Sequence, residues 1–156
     1  MSFSDEMRAF AKKTGGKLED VARDVVLSVG RKVVEMSPVG LRERWQVNII
    51  RAAKGLPLTP KGYVGGHFRV NWQHGFGAPA IGEIDGTDNA GSATIARIRA
   101  SIDSSPASGV HFISNNTKYA QALENGHSTV APEGMVGVTV ILFQDIVTIS
   151  VQKAKA

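Results

Sequence analysis

The sequence predicts an α+β protein in which a long N-terminal helix and a C-terminal helix pack on a small, mainly antiparallel sheet. Apolar residues recur at helical spacing at both ends of the chain, and two short segments with strand character lie between them. A long stretch rich in Pro, Gly and basic residues follows the first helix. We expect the 156 residues to form a single domain, residues 1–156, that folds without disulfides.

The N-terminal helix is predicted from apolar residues that are mostly three, four, seven or eight positions apart. These residues are Phe3, Met7, Phe10, Leu18, Val21, Val25, Val29, Val33 and Met36. Ser4 is placed to cap the first turn, and Pro38 disfavours helix at Ser37. Gly15 and Gly16 are expected to bend the helix or break it into two pieces, because each glycine costs about 1 kcal/mol in a helix interior.

Residues 40–66 are predicted to form a long, partly ordered basic arm with room for a short helix over 43–53. The bases between positions 42 and 69 are Arg42, Arg44, Arg51, Lys54, Lys61 and Arg69, against the single acid Glu43. The charged residues of 76–90, in contrast, are all acidic. This separation of charge is typical of complementary contacts between neighbouring subunits or of a patch that faces DNA phosphates, although a solvated basic loop has the same composition.

The middle of the chain alternates between strand and helix signals. His67–His74 alternates apolar and polar residues, which predicts a half-buried strand, and 110–114 predicts a second strand. Between them, Asp88 is expected to cap a helix. The apolar face of that helix is Ala93, Ile95, Ala96, Ile98 and Ile102. A short helical turn over 119–123 is predicted to end at Gly126.

The C-terminal segment has a helical period that begins near Pro132, with Glu133 in the first turn. Its apolar stripe is Val136, Val140, Phe143, Val147 and Val151. The spacing favours a helix, while the β-branched run over 138–142 leaves a strand open.

The residues for catalysis or metal binding are sparse. The absence of cysteine excludes a disulfide framework, a Cys-ligated metal and a thiol nucleophile. Of the four histidines, His67 and His74 are seven apart on the predicted strand and so point to opposite faces. His127 and Ser128 have the beginning of a nucleophile turn, but Val130 stands where the pattern needs glycine. We therefore expect no enzyme, metal or cofactor, and we keep a small hydrolase using His127 and Ser128 as a rival hypothesis.

The chain has no segment suited to a membrane. Its longest uncharged apolar run, Met135–Phe143, is far shorter than the roughly 20 residues that cross a bilayer. Residues 1–10 are charged and lack a signal-peptide core. We expect a soluble, unprocessed protein.

Three motifs in order carry a resemblance. They are Ser37-Pro38-Val39-Gly40, then 62–66 (GYVGG) followed by 68–73 (FRVNWQ), then 119–128 followed by 131–136 (APEGMV). In these motifs the chain resembles the tail-component family of long-tailed, siphovirus-type phages, which includes minor tail protein Z-like tail-completion and neck proteins. The resemblance covers most of the chain.

The resemblance implies a non-enzymatic structural protein of the virion neck, made in the host cytoplasm, that completes the tail and joins it to the head. Such a protein forms a ring of identical subunits around the DNA channel. Its implied partners are itself, the connector or head-completion proteins, the tail terminator or tail tube, and DNA that passes without sequence readout. The alternative is a sequence-independent nucleic-acid-binding protein that uses the same arm. In this case the aromatic residues that lie among the basic residues would stack on nucleobases.

Two sets of residues are candidates for these contacts. Those expected to face DNA or an acidic neighbour are Arg42, Arg44, Arg51 and Lys54. Those expected to shape an assembly surface are Tyr119, Glu124, Gly126 and Pro132.

Overall fold

A computed structural model describes the backbone of residues 3–156 and the side chains of residues 17–156. It confirms the α+β class, with helices around a two-stranded antiparallel sheet. The elements in chain order are α1 (Phe3–Met36), a 3-10 turn (Arg42–Arg44), α2 (Gln46–Ala53), α3 (His67–Val70), β1 (Trp72–Phe76), α4 (Ser92–Asp103), β2 (His111–Asn115), α5 (Ala120–Glu124), α6 (Val136–Ile141) and α7 (Phe143–Lys155).

Helix α1 is the longest element and runs through Gly15 and Gly16, so the expected break is wrong. Glycine lowers helix propensity but keeps its backbone N–H, and the helical segments on both sides therefore continue through the pair. The end before Pro38 is confirmed, and there the Ser37 hydroxyl donates to the Val33 carbonyl at 2.6 Å. The predicted cap at Ser4 and the apolar positions before residue 17 lie outside the side chains that the structure describes.

The core forms where α1 crosses α4 and the sheet. Its buried residues are Leu27, Val33, Val34, Phe68, Trp72, Ile98, Ile102, Ala131 and Met135. Gly30 allows the close approach, because a Cβ there would lie 3.1 Å from Cγ2 of Ile98. On α4 the expected face is partly wrong: Thr94 is buried, whereas Ala93 and Ala96 are exposed.

Asp88 caps α4 as predicted. Its carboxylate accepts hydrogen bonds from the Gly91 N–H at 2.8 Å and from both the N–H and the hydroxyl of Thr94 at 2.7 Å. Burial by itself raises the pKa of Asp88, but these bonds outweigh it, so the net shift is downward. Thr94 is buried in place of a hydrophobic residue because it completes this cap.

The predicted strand over His67–His74 is wrong in its first half. His67–Val70 forms the single turn α3, and the residue before it, Gly66, has a φ of +106°. The chain then turns at Asn71, whose side chain bonds the N–H and the carbonyl of Ile84 at 2.7 and 3.0 Å. Only from Trp72 does the segment pair with β2, antiparallel as predicted.

The C-terminal segment is helical, but two helices divided at Leu142 replace the single helix expected from Pro132. The predicted apolar stripe is wrong in its first part, where Val136, Val140 and Phe143 are exposed, whereas Val147 and Val151 are half-buried. Thr139 and Ser150 are buried, whereas Val140 is 67% exposed and Phe143 is 47% exposed. On α7, the buried Ser150 hydroxyl donates to the Asp24 carboxylate of α1 at 2.6 Å. On α6, the buried Thr139 hydroxyl donates to the Met135 carbonyl at 2.7 Å. Among the described residues, no helix is both long and apolar enough to span a membrane.

Candidate functional site

The arm, residues 40–66, is ordered around one buried polar side chain. Asn48 is fully buried on α2, and its amide donates to the carbonyls of Arg42 at 2.8 Å and Thr59 at 2.6 Å. Its side-chain oxygen accepts from the N–H of Thr59 at 2.8 Å. The arm is therefore closed by satisfied hydrogen bonds rather than by a hydrophobic core.

The apolar side chains of the arm point to solvent. Leu41, Val47, Ile49, Ile50, Leu56 and Val64 are each between 44 and 60% exposed. These six side chains are therefore accessible to solvent in the single chain. This number of exposed apolar residues in one segment makes the arm a candidate interaction surface.

The four predicted basic contacts have different surroundings. The guanidinium of Arg42 donates to the Pro60 carbonyl at 3.0 Å, and that of Arg51 donates to the Pro57 carbonyl at 2.8 Å. These two arginines therefore help to hold the arm together while still carrying positive charge. Arg44 and Lys54 are exposed.

An open cleft of about 580 Å³ lies between the base of the arm, α3 and the turn after α5. It brings together Arg44 and Tyr119, two of the predicted site residues. Trp45 and Tyr63 meet edge to face in its wall, with ring centroids 4.8 Å apart. A concave surface with aromatic walls and few polar groups is the usual form of a binding site.

The other predicted assembly residues form a structural clasp between α5 and α6. The Glu124 carboxylate accepts from three consecutive N–H groups at the start of α6, those of Met135, Val136 and Gly137, at 2.9, 3.0 and 2.8 Å. Burial raises its pKa, but these bonds outweigh that effect and the net shift is downward. Gly126 has a φ of +86°, and a Cβ there would lie 2.6 Å from the Pro132 carbonyl oxygen.

The clasp corrects one expectation. The acid that stabilises the start of α6 is Glu124, eleven residues before Met135, and not the neighbouring Glu133. The sequence signal was indirect, since a glutamate ahead of a glycine turn looks like an ordinary surface acid. Only the fold brings its carboxylate to a helix start.

His127 and Ser128 line the cleft, and each side chain bonds the backbone of its own turn. His127 Nδ1 donates to the Ala122 carbonyl at 2.9 Å, and Ser128 Oγ accepts from the Val130 N–H at 3.2 Å. Both side chains therefore hold the turn after α5, and no hydrogen bond joins them. A serine nucleophile needs a base within hydrogen-bond reach.

The sequence did not indicate that a pair of histidines, His74 and His111, meets across the sheet. His74 Nε2 lies 2.9 Å from His111 Nδ1, and His74 Nδ1 lies 2.8 Å from Ser101 Oγ. The antiparallel register, which sets Phe76 opposite His111, brings the two rings together across the strands. Burial and the neighbouring His111 lower the pKa of His74. Over residues 17–156, no group of three side chains suited to a metal ion is found.

Comparison with known proteins identifies no relative. No family model, curated protein or solved structure matches the chain. The resemblance to phage tail components therefore stays a prediction, and the function must be argued from the surfaces described above.

Proposed function

We propose that the protein is a structural, non-enzymatic component of a phage neck. In this role it completes the tail and joins it to the head as a ring of identical subunits around the DNA channel. The observation that carries the proposal is the arm, which is internally ordered yet exposes six apolar side chains and the basic residues Arg44, Lys54 and Lys61 to solvent.

An arm of this kind suits assembly better than catalysis. Because Asn48 already holds the backbone in place, docking loses less conformational entropy than the folding of a disordered loop would. A ring also needs two different faces on each subunit, so that each copy contacts the next in the same way. The basic arm is one such face.

The motifs that carry the family resemblance support the neck as the location. In that position one side of the ring meets the connector or head-completion proteins, and the other meets the tail terminator or tail tube. Basic residues such as Lys54 would contact the phosphates of DNA in the lumen, and such contacts do not depend on the DNA sequence.

The test is charge reversal in the phage genome. We expect Arg44→Glu with Lys54→Glu to leave filled heads and finished tails unjoined, which electron microscopy detects directly, and infectivity should fall. The matched control reverses two exposed lysines outside the arm, Lys118 and Lys155. Normal virions and titre in the arm variant, or purified virions that lack the protein by mass spectrometry, would refute the proposal.

A sequence-independent nucleic-acid-binding protein is the second candidate. Arg44, Trp45 and Tyr63 line one open cleft. A positively charged side chain beside aromatic rings is typical of proteins that bind single-stranded nucleic acid. Binding of the purified protein to an oligonucleotide should then weaken steeply between roughly 50 and 200 mM salt. The affinity should also fall with Arg44→Ala but not with Lys118→Ala. No binding at the lower salt concentration excludes this function.

A further inference from the structure

We propose that His74 and His111 form a proton-operated latch, which holds one end of the two-stranded sheet closed at neutral pH and releases it in acid. The two side chains meet across β1 and β2, with His74 Nε2 2.9 Å from His111 Nδ1. His74 is buried and His111 is half-buried, so the contact is largely removed from water. This inference does not depend on the proposed neck function.

The hydrogen bonds around the latch determine where its hydrogens lie. The Ala107 carbonyl can only accept, so the His111 Nε2 that lies 3.4 Å from it carries a hydrogen. In neutral His111 the other nitrogen, Nδ1, is therefore an acceptor and receives the N–H of His74 Nε2. His74 Nδ1 in turn accepts the hydroxyl hydrogen of Ser101 at 2.8 Å. The neutral latch is thus a chain of hydrogen bonds that runs in one direction, from Ser101 to Ala107.

This chain of hydrogen bonds accommodates one added proton but not two. When His74 Nδ1 is protonated, the Ser101 hydroxyl rotates and its oxygen becomes the acceptor, so every bond is kept. His111 Nδ1 has no such alternative, because a hydrogen there would face the N–H of His74. Two imidazolium rings would also bring like charges together away from water. Uptake of the second proton therefore separates the rings.

Among the described side chains, no carboxylate bonds to either histidine and offsets this repulsion. Residues 104–110, which join α4 to β2, contain no charged side chain. In the loop after β1, Glu83 pairs with His67, Asp85 is exposed and Asp88 caps α4. The charged residues of α4 and α1 around the last turns of α4, none of which bonds to the latch, are Arg97, Arg99, Asp103, Asp20, Arg23, Asp24 and Arg31. Burial first, and His111 second, lower the pKa of His74.

The latch supports the end of the sheet that carries Phe76. The Phe76 ring packs edge to face on His111, with ring centroids 5.1 Å apart. It also lies over Gly109, where a Cβ would be 2.6 Å from Phe76 Cζ. The Gly77 N–H donates to the Val110 carbonyl at 2.9 Å and closes this end of the sheet. Separation of the two histidine rings therefore removes the support of Phe76 and exposes the Gly77 N–H.

The other end of the sheet is held by bonds between groups that do not titrate near neutral pH. Trp72 Nε1 donates to the Ser37 hydroxyl at 2.7 Å, and the Asn115 amide donates to the Phe68 carbonyl at 2.9 Å. Opening in acid is therefore local, and it affects the Phe76 end of the sheet and the connection over 104–110 while the rest of the chain stays folded.

Hydrogen exchange followed by NMR on the purified full-length protein tests the latch. The measured quantity is the protection of each amide relative to the exchange rate of an unfolded chain at the same pH, which removes the ordinary pH dependence of exchange. We expect the protection of the Gly77 N–H to fall at least about tenfold between about pH 6.5 and about pH 5, because the open form binds more protons. The Thr94 N–H, which bonds to Asp88 at the opposite end of α4, should keep its protection.

Histidine variants show whether the latch causes the opening. His111→Gln leaves one titrating ring, and its amide can still bond to His74, so most of the fall in Gly77 protection should disappear. The matched control is His127→Gln, because His127 is an exposed histidine of the turn after α5, and this variant should behave like the natural protein. Circular dichroism at pH 7 checks that each variant is folded. If His111→Gln does not fold, His74→Gln tests the same loss of the second ring.

Three results would overturn the proposal. The first is a Gly77 protection that stays constant down to about pH 5. The second is a parallel loss of protection at Gly77 and Thr94, since acid would then act on the whole fold. The third is an equal effect of His111→Gln and His127→Gln on the fall in Gly77 protection.

Discussion

We expect Glu124→Ala to lower the free energy of unfolding by about 2 kcal/mol, because the change removes one carboxylate that caps a helix from a distant segment. Three N–H groups at the start of α6 lose their acceptor at once. A bond to a charged group contributes about 1.5–3 kcal/mol when buried, but Glu124 is only half-buried, and water replaces part of the loss. For a chain of this size the melting temperature should fall by about 4–8 °C.

The same carboxylate sets a pH dependence. Its pKa is lower in the folded protein than in the unfolded chain, so its stabilising effect is present at neutral pH. The effect is lost as the pH falls from the unfolded value of about 4.3 through the lower folded value. Glu124→Gln removes the titrating group, and the difference between this variant and the natural protein should therefore shrink as the solution is acidified.

Urea denaturation followed by circular dichroism, at neutral pH and in an acid series, provides the measurement. Glu133→Ala is the matched control, because Glu133 is an exposed acid in the same connection. We expect its effect to stay within about 0.5 kcal/mol. If Glu124→Ala and Glu133→Ala had equal effects, the clasp would not stabilise the fold and the reasoning would be wrong.

Three further results are expected. Asn48→Ala should open the arm to limited proteolysis while the melting temperature of the core changes little, and unchanged cleavage would contradict the role of Asn48 as its lock. Trp72→Phe should lower the free energy of unfolding by about 2 kcal/mol, because it removes a buried 2.7 Å bond to the Ser37 hydroxyl; denaturant titration tests this. His74→Gln should flatten the loss of thermal stability between pH 7 and 5, since burial and His111 lower the pKa of His74 and protons then favour the unfolded chain. An unchanged pH profile would refute that assignment.

Local signals account well for some elements. The end of α1 before Pro38, the cap at Asp88 and the helix within the arm each depend on residues close in sequence, and each is confirmed. The arm and its basic residues were also visible in the sequence, because Pro, Gly and Arg are enriched there. Short-range interactions of this kind can be predicted from the sequence without the tertiary structure.

Other features depend on contacts between distant residues. His74 and His111 meet only because β1 and β2 pair in one register, and Glu124 acts on residues that begin eleven positions later. The strand expected at His67 became a helical turn because Gly66 and Asn71 bond to the loop before α4. No periodicity in the sequence carries this information.

Helix spacing, prolines, glycines and charge specify from sequence which segments of this protein are helical, where several of them end and where the basic arm lies. Tertiary contacts specify which side of each helix is buried, because they depend on residues far apart in sequence, such as Asp24 of α1, which accepts from the buried Ser150 of α7. Val136, Val140 and Phe143, which the spacing places on a buried stripe, are exposed in the fold. The first part of the stripe that predicts a core in the sequence therefore lies at the surface of the folded chain.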